Sequence, residues 1–188
     1  MTRAACVAFG MMFVAASGSA QPPPSMGLAD GLKFGYTALK QNLTQSAEKM
    51  PEADYASKPS TMPEVRTFGQ VIGHIANAQF FQCATARGAA NPNQVNFEQK
   101  TAKAELVKAL ADSFAFCDDA FASVTDQTAM EMVSNGRGGQ LARGAMLTQV
   151  ISHGSEMYGI ATVYLRAKNI VPPSTENQGR GRGGRGRQ

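Results

Sequence analysis

Residues 147–174, LTQVISHGSEMYGIATVYLRAKNIVPPS, limit the fold more than any other stretch. Val150, Met157, Ala161 and Leu165 recur at helical spacing, and Leu147, Ile151 and Tyr158 form a second row. The stretch reads as one long helix, from about residue 141 to residue 168, followed by a stop. Asn169 and the Pro172-Pro173 pair end it, because proline cannot continue a helix and biases the preceding residue away from it. His153 sits in the middle. The other histidine of the chain, His74, lies in a second apolar helical stretch, FGQVIGHIANAQFFQCA. Two imidazoles on two apolar helices are either a metal site or packed core groups.

The remaining periodicities are also helical. Leu28, Leu32, Tyr36, Leu39, Leu43 and Met50 mark a first helix that ends at Pro51. The loop PEADYASKPSTMPEVR follows; it is long for a bundle and is expected to wrap the outside, anchored by Tyr55 and Met62. A second helix is expected over 67–87, with Thr67 as its cap and Val71, His74, Ala78, Phe81 and Cys83 on one broad stripe. Gly88 and NPNQ break the chain. A third helix over 100–124 shows the clearest amphipathic pattern: Leu106, Leu110, Phe114, Cys117 and Phe121 inside, with Lys103, Lys108, Asp112, Asp118 and Asp119 largely opposite. The link between the second and third helices is read as short enough to make them antiparallel neighbours. Residues 125–140 read as a loop, with SNGRGG as a turn. A phosphate-loop reading of that turn fails, since neither the G-x-x-x-x-G-K-[ST] pattern nor a preceding strand is present. No alternating run of strand length stands out. The expected fold class is all-α, a four-helix bundle.

Composition matters chiefly at the ends. The chain has 188 residues, 43% hydrophobic and 17% charged, which fits one domain with tails. Its formal charge of +4 comes from Arg180, Arg182, Arg185 and Arg187; without them the balance is neutral. The body therefore gives no electrostatic reason to expect nucleic acid as a partner. Residues 1–20, MTRAACVAFGMMFVAASGSA, read as a secretory signal peptide: Arg3, then an apolar run too short for a stable span, then small residues at a cleavage site. An uncleaved anchor is the alternative. Residues 21–26 form a proline-rich lead, 27–174 the bundle, and 175–188 a Gly/Arg-rich tail expected to be disordered. Such a tail would touch anionic lipid or cell wall rather than RNA in a periplasmic or extracellular protein.

Beyond the signal segment two cysteines remain, Cys83 and Cys117, both late in their helices. An even count in an exported chain points to a disulfide joining the second and third helices. Two buried free thiols are the alternative.

The sequence SHGSEMYGIATVYLRAKNIVPPS resembles the last helix of the DinB-like (YfiT-type) four-helix-bundle family, through His153, Tyr158, Gly159, Tyr164, Leu165, Arg166 and Val171–Ser174. FGQVIGHIANAQFFQC and KAELVKALADSFAFCDDAF resemble that family's second and third helices. The resemblance spans roughly residues 26–174. It implies a site of three histidines, one from helix two and an H-x-x-x-H pair from the last helix. In this chain those positions are His74, His153 and Met157, so the third ligand is a thioether, suited to Cu(I) more than to Zn, Ni or Mn. Glu156 is the nearest carboxylate in sequence, as a substitute ligand or a partner for a ring N–H, and Asn77 is a second such partner. The family implies a divalent metal and a metal-dependent hydrolase or thiol transferase acting on a small molecule. No catalytic nucleophile is visible, and whether the chain is an enzyme stays open. Tyr158 and Tyr164 are placed for either packing or substrate contact, Arg166 for a salt bridge or an anion. The competing reading is a non-catalytic bundle that scaffolds or binds through its surface and holds no metal. A homodimer is compatible with such a bundle, though no sequence feature requires one.

Overall fold

The computed structural model describes residues 25–136 and 138–183, with side chains up to residue 178. The expected signal peptide over residues 1–20, residues 21–24 of the lead and residues 184–188 of the tail lie outside the described residues. Four long helices carry the core: α1 (Leu28–Lys49), α2 (Phe68–Arg87), α3 (Lys103–Ser123) and α4 (Arg143–Ala167). Among the described residues no helix is long and apolar enough to cross a membrane. Leu43, Phe68, Ile72, Leu106, Phe114, Phe121, Leu147 and Leu165 are fully buried, as the periodicity requires. Thr67 caps α2 in a reciprocal box: its hydroxyl accepts from the Gln70 N–H, and the Gln70 side chain accepts from the Thr67 N–H. Asn169, at φ 58°, turns the chain out of α4 in the left-handed conformation that asparagine tolerates.

The helices neighbour each other in the spatial order α1, α3, α2, α4, closing back on α1. Both the α1–α2 and the α3–α4 links therefore cross a diagonal. This explains the length of residues 50–67 and 124–142. Tyr55 anchors the first link, buried and donating to the Ala47 carbonyl at 2.7 Å. Met62 does not; it is 55% exposed, leaving Tyr55 as the anchor. Phe81, expected on the core stripe of α2, is 40% exposed, because Phe80 takes the inward direction against Phe97 and Phe116.

The helix directions differ from expectation. Gln79 meets Ser113, Cys83 meets Cys117, and Gly69 faces Leu106, so α2 and α3 run parallel, not antiparallel. The link of residues 88–102 is long enough for this. An extended chain covers about 3.3 Å per residue, against about 1.5 Å in a helix, so it can run back along the whole of α2. Gly88, at φ 64°, reverses the chain at the start of that return. About two thirds along, the Phe97 backbone sits directly on α2 at Gly73, where any Cβ would collide with the Phe97 carbonyl. α4 in turn runs antiparallel to α2, with Arg143 donating to the Ala86 carbonyl and Tyr164 to the Arg66 carbonyl.

Two further differences concern the links. Residues 132–134 and 140–142 form a short antiparallel hairpin, with Val133 opposite Leu141, where a plain loop is expected. Three-residue strands are too short to leave an alternating pattern in the sequence. Residues 175–183, expected as the start of a disordered tail, belong to a fifth helix, α5 (Pro173–Gly183). Pro173 presets the backbone angle of its first turn. Glu176 pairs with Lys49, and the Tyr158 hydroxyl accepts from the Ser174 N–H at 2.9 Å while donating to its Oγ at 2.8 Å.

A Cys83–Cys117 disulfide joins the parallel pair, with Cα atoms 5.3 Å apart and both cysteines fully buried. The free-thiol alternative is thereby excluded. With a sequence separation of 34 between its ends, chain-entropy arguments give it about 2–4 kcal/mol. The Cys83→Ala/Cys117→Ala double variant is expected to melt roughly 5–15 °C lower. Thermal unfolding followed by circular dichroism checks this; an unchanged midpoint would show that packing alone holds the parallel pair.

Candidate functional site

His74 points from α2 and His153 from α4, both half-buried, and their Nε2 atoms lie 3.2 Å apart. The ring planes are tilted by 59°. On its far side the Nδ1 of His74 is 2.7 Å from Glu98 Oε1. Glu98 comes from the segment that returns along α2. Its other oxygen accepts from Arg66 Nε at 2.8 Å, and the Arg66 carbonyl accepts from the Tyr164 hydroxyl at 2.6 Å. An unbroken chain of contacts therefore runs from Tyr164 through Arg66, Glu98 and His74 to His153.

Asn77 fastens the returning segment. Its Oδ1 accepts from the Phe97 N–H at 3.2 Å and the Asn93 side chain at 3.3 Å, while its Nδ2 donates to Asn96 Oδ1 at 2.9 Å. Asn96 Oδ1 then accepts from the Glu98 N–H at 3.1 Å. Asn77 touches neither imidazole, so its link to the site runs through the loop that carries Glu98. This differs from the direct partner role expected for it.

The electrostatics follow from these contacts. Burial pushes the Glu98 carboxyl up, but the hydrogen bonds from Arg66 and His74, and then their charges, outweigh it and hold the group below the usual carboxylate range. An ionised Glu98 only accepts, so His74 Nδ1 must carry a proton, and Nε2 is the ring atom that faces His153. Burial lowers the pKa of His153; the charge of His74 and, less strongly, that of Arg66 lower it further, while Glu156 raises it. The site thus favours a neutral His153.

The structure brings His74 and His153 together but distributes the other expected residues differently. Met157 is buried in the core one turn after His153, 6% exposed. Glu156 is exposed on α4 and reaches the pair only through its field. Among the described residues no cluster of three or more His, Cys, Asp and Glu side chains is able to hold a metal. Tyr158 and Tyr164 lock α5 and the α1–α2 link, and Arg166 donates to Thr162 at 3.0 Å. Glu98 and Arg66, which contribute most to the arrangement, are absent from the sequence reading. Both lie outside the helical periodicities, and only their spacing from a helix that they flank could have drawn attention to them.

The sequence profile of the DinB superfamily matches residues 36–157. The chain belongs to the DinB superfamily. Its fold is similar to that of a DinB-like protein from Bacillus cereus ATCC 10987, with a TM-score of 0.65 at 15% identity, over 77% of this chain and 95% of that one. A DinB-like protein from Bacillus subtilis gives 0.57 at 18% identity, over 75% and 93%. A conserved protein from Enterococcus faecalis gives 0.59 at 13%, over 76% and 97%. At such identities the likeness is one of fold. A search of curated proteins finds no match.

Because the folded pKa of His153 lies below its unfolded value, the unfolded chain takes up this proton first as the pH falls. The corresponding stability is complete above about pH 6.5 and is lost as pH drops toward the folded pKa. In chelator-treated protein, denaturant unfolding is expected to weaken more between about pH 7.5 and pH 5.5 in wild type than in His153→Gln. Equal losses would mean that His153 is no more protected in the folded chain than in the unfolded one.

Proposed function

We propose that this DinB-superfamily protein is exported and that its His74–His153 pair holds a divalent metal weakly, for hydrolysis or thiol transfer on a small molecule. One observation carries the metal reading: two Nε2 atoms 3.2 Å apart, one of them backed by a carboxylate on the opposite ring nitrogen. Two metal–nitrogen bonds of about 2.0–2.1 Å at a tetrahedral angle set their nitrogens about 3.3 Å apart, so the pair already has the bite of one ion. A carboxylate behind a ligating imidazole fixes its tautomer and raises its basicity. Imidazole suits Zn, Ni or Mn; sulfur from Met157 would shift the preference toward Cu(I).

When bound, such an ion supplies Lewis acidity and lowers the pKa of a coordinated water or thiol. The residues of the chain do the rest. Glu98 orients His74, Arg66 keeps Glu98 ionised, and Asn77 holds the segment that delivers Glu98. Two protein donors leave open positions for solvent or substrate, at the cost of affinity. Export is supported by residues 1–20 alone.

The second reading, a non-catalytic bundle that scaffolds or binds, draws its support from the lack of a third donor among the described residues and from Met157 lying in the core. Elemental mass spectrometry on untagged residues 21–188 separates the two. Near-stoichiometric metal, absent from His74→Ala/His153→Ala, is the expected result. Metal affinity is expected to fall about 10- to 100-fold in Glu98→Gln, as for other carboxylates behind a ligating histidine. An empty protein after incubation with Zn, Ni, Mn and Cu(I) would leave the scaffold reading as the better account.

A further inference from the structure

Arg66 is held at two points. Its carbonyl accepts from Tyr164, and its Nε donates to Glu98 Oε2. The same carboxylate meets His74 through Oε1, so guanidinium and imidazole are fixed on either side of one small group. Guanidinium has two edges able to grip a pair of oxygens: a side edge of Nε with one Nη, and an end edge of both Nη groups. Glu98 engages the side edge through a single oxygen. Among the described residues no protein acceptor meets either Nη of Arg66, and the side chain is 42% exposed. Other arginines are differently placed. Arg143 gives one Nη to Ala86 and the other to Glu131, and Arg87 lies over the Phe116 ring. Arg66 thus offers a fork one carboxylate away from His74 and near enough to His153 for its charge to be felt there, oriented by Glu98 at its side chain and by Tyr164 at its backbone.

We propose that Arg66 binds the anionic group, carboxylate or phosphate, of a small-molecule substrate held at the His74–His153 pair. The proposal rests on the reading of that pair as the functional site and names its substrate class. The fork geometry matches the paired oxygens of either anion. Glu156 is the acidic charge felt at His153 and Arg66 a basic one, so an anion is repelled by the first and attracted by the second. The anion is therefore drawn to the Arg66 side of the pair.

The test is nuclear magnetic resonance on residues 21–188, metal-free and metal-loaded, titrated with sodium acetate or inorganic phosphate against sodium chloride at matched ionic strength. The Arg66 side-chain signals and the His153 ring signals are expected to shift saturably, and those of Arg87 to stay in place. Affinity is expected to fall about 10- to 100-fold in Arg66→Gln and by less in Arg66→Lys, which keeps the charge but not the fork. A response to acetate alone names an organic acid, and one to phosphate alone a phosphate ester. Shifts at Arg66 that are linear, or no larger than those at Arg87, would overturn the proposal. The metal reading fails separately: saturable anion binding in a protein that takes up no metal keeps Arg66 and removes the metal, and metal uptake without anion binding does the reverse.

Discussion

The parallel pairing of α2 and α3 is the constraint on which the rest of the molecule depends. Cys83 and Cys117 lie in the second half of each helix, so joining them lets the two helices overlap along their length only when they run the same way. The buried contact between Gln79 and Ser113, 2.7 Å, sets the same register one turn away. Once two consecutive helices run in the same direction, the chain between them must travel back along their full length. That return is why a stretch without periodicity crosses α2 in its first half, and why a glycine, Gly73, stands at the crossing. It also brings Glu98 alongside His74.

Position alone would not make Glu98 useful. Burial pushes such a carboxyl toward neutrality unless hydrogen-bonding partners hold its charge. Arg66 does so, and in turn is fixed by Tyr164 on the opposite wall of the site. Each member satisfies the next: a hydroxyl holds a carbonyl, a guanidinium holds a carboxylate, and the carboxylate sets the tautomer of His74. The chain ends at His74 Nε2, 3.2 Å from Nε2 of His153. Networks of this kind polarise along their length, so a change at Arg66 is transmitted to His74.

Met157 marks what separates this chain from the three-histidine arrangement that its sequence resembles. It keeps the helical position of a ligand, one turn from His153, but packs with the apolar core. A thioether loses little by burial and gains little from a hard divalent ion, so the substitution favours packing over coordination. The remaining pair retains a metal-like spacing and an oriented His74. Beside it, beyond the Glu98 carboxylate, stands a guanidinium whose Nη groups meet no protein acceptor among the described residues.

Much of the fold was legible because helix burial leaves a direct signature. The rows through Leu43, Leu106, Phe114, Leu147 and Leu165 are the fully buried ones. The Thr67 box and the Asn169 stop were also readable, since both are local chemistry. His74 and His153 stood out because histidine is rare in the chain and each sits on an apolar helix. Helix direction was not legible from loop length, which permits either sense; the two cysteines late in their helices carried that information, through a bond between distant residues. Glu98 and Arg66 were illegible for the same reason. The sequence by itself determined which residues form helices, which faces they bury and which two imidazoles face inward, because these depend on neighbours within a few positions. Only the tertiary structure decided what stands behind those imidazoles, because the path of a non-periodic segment is set by the helices it must rejoin.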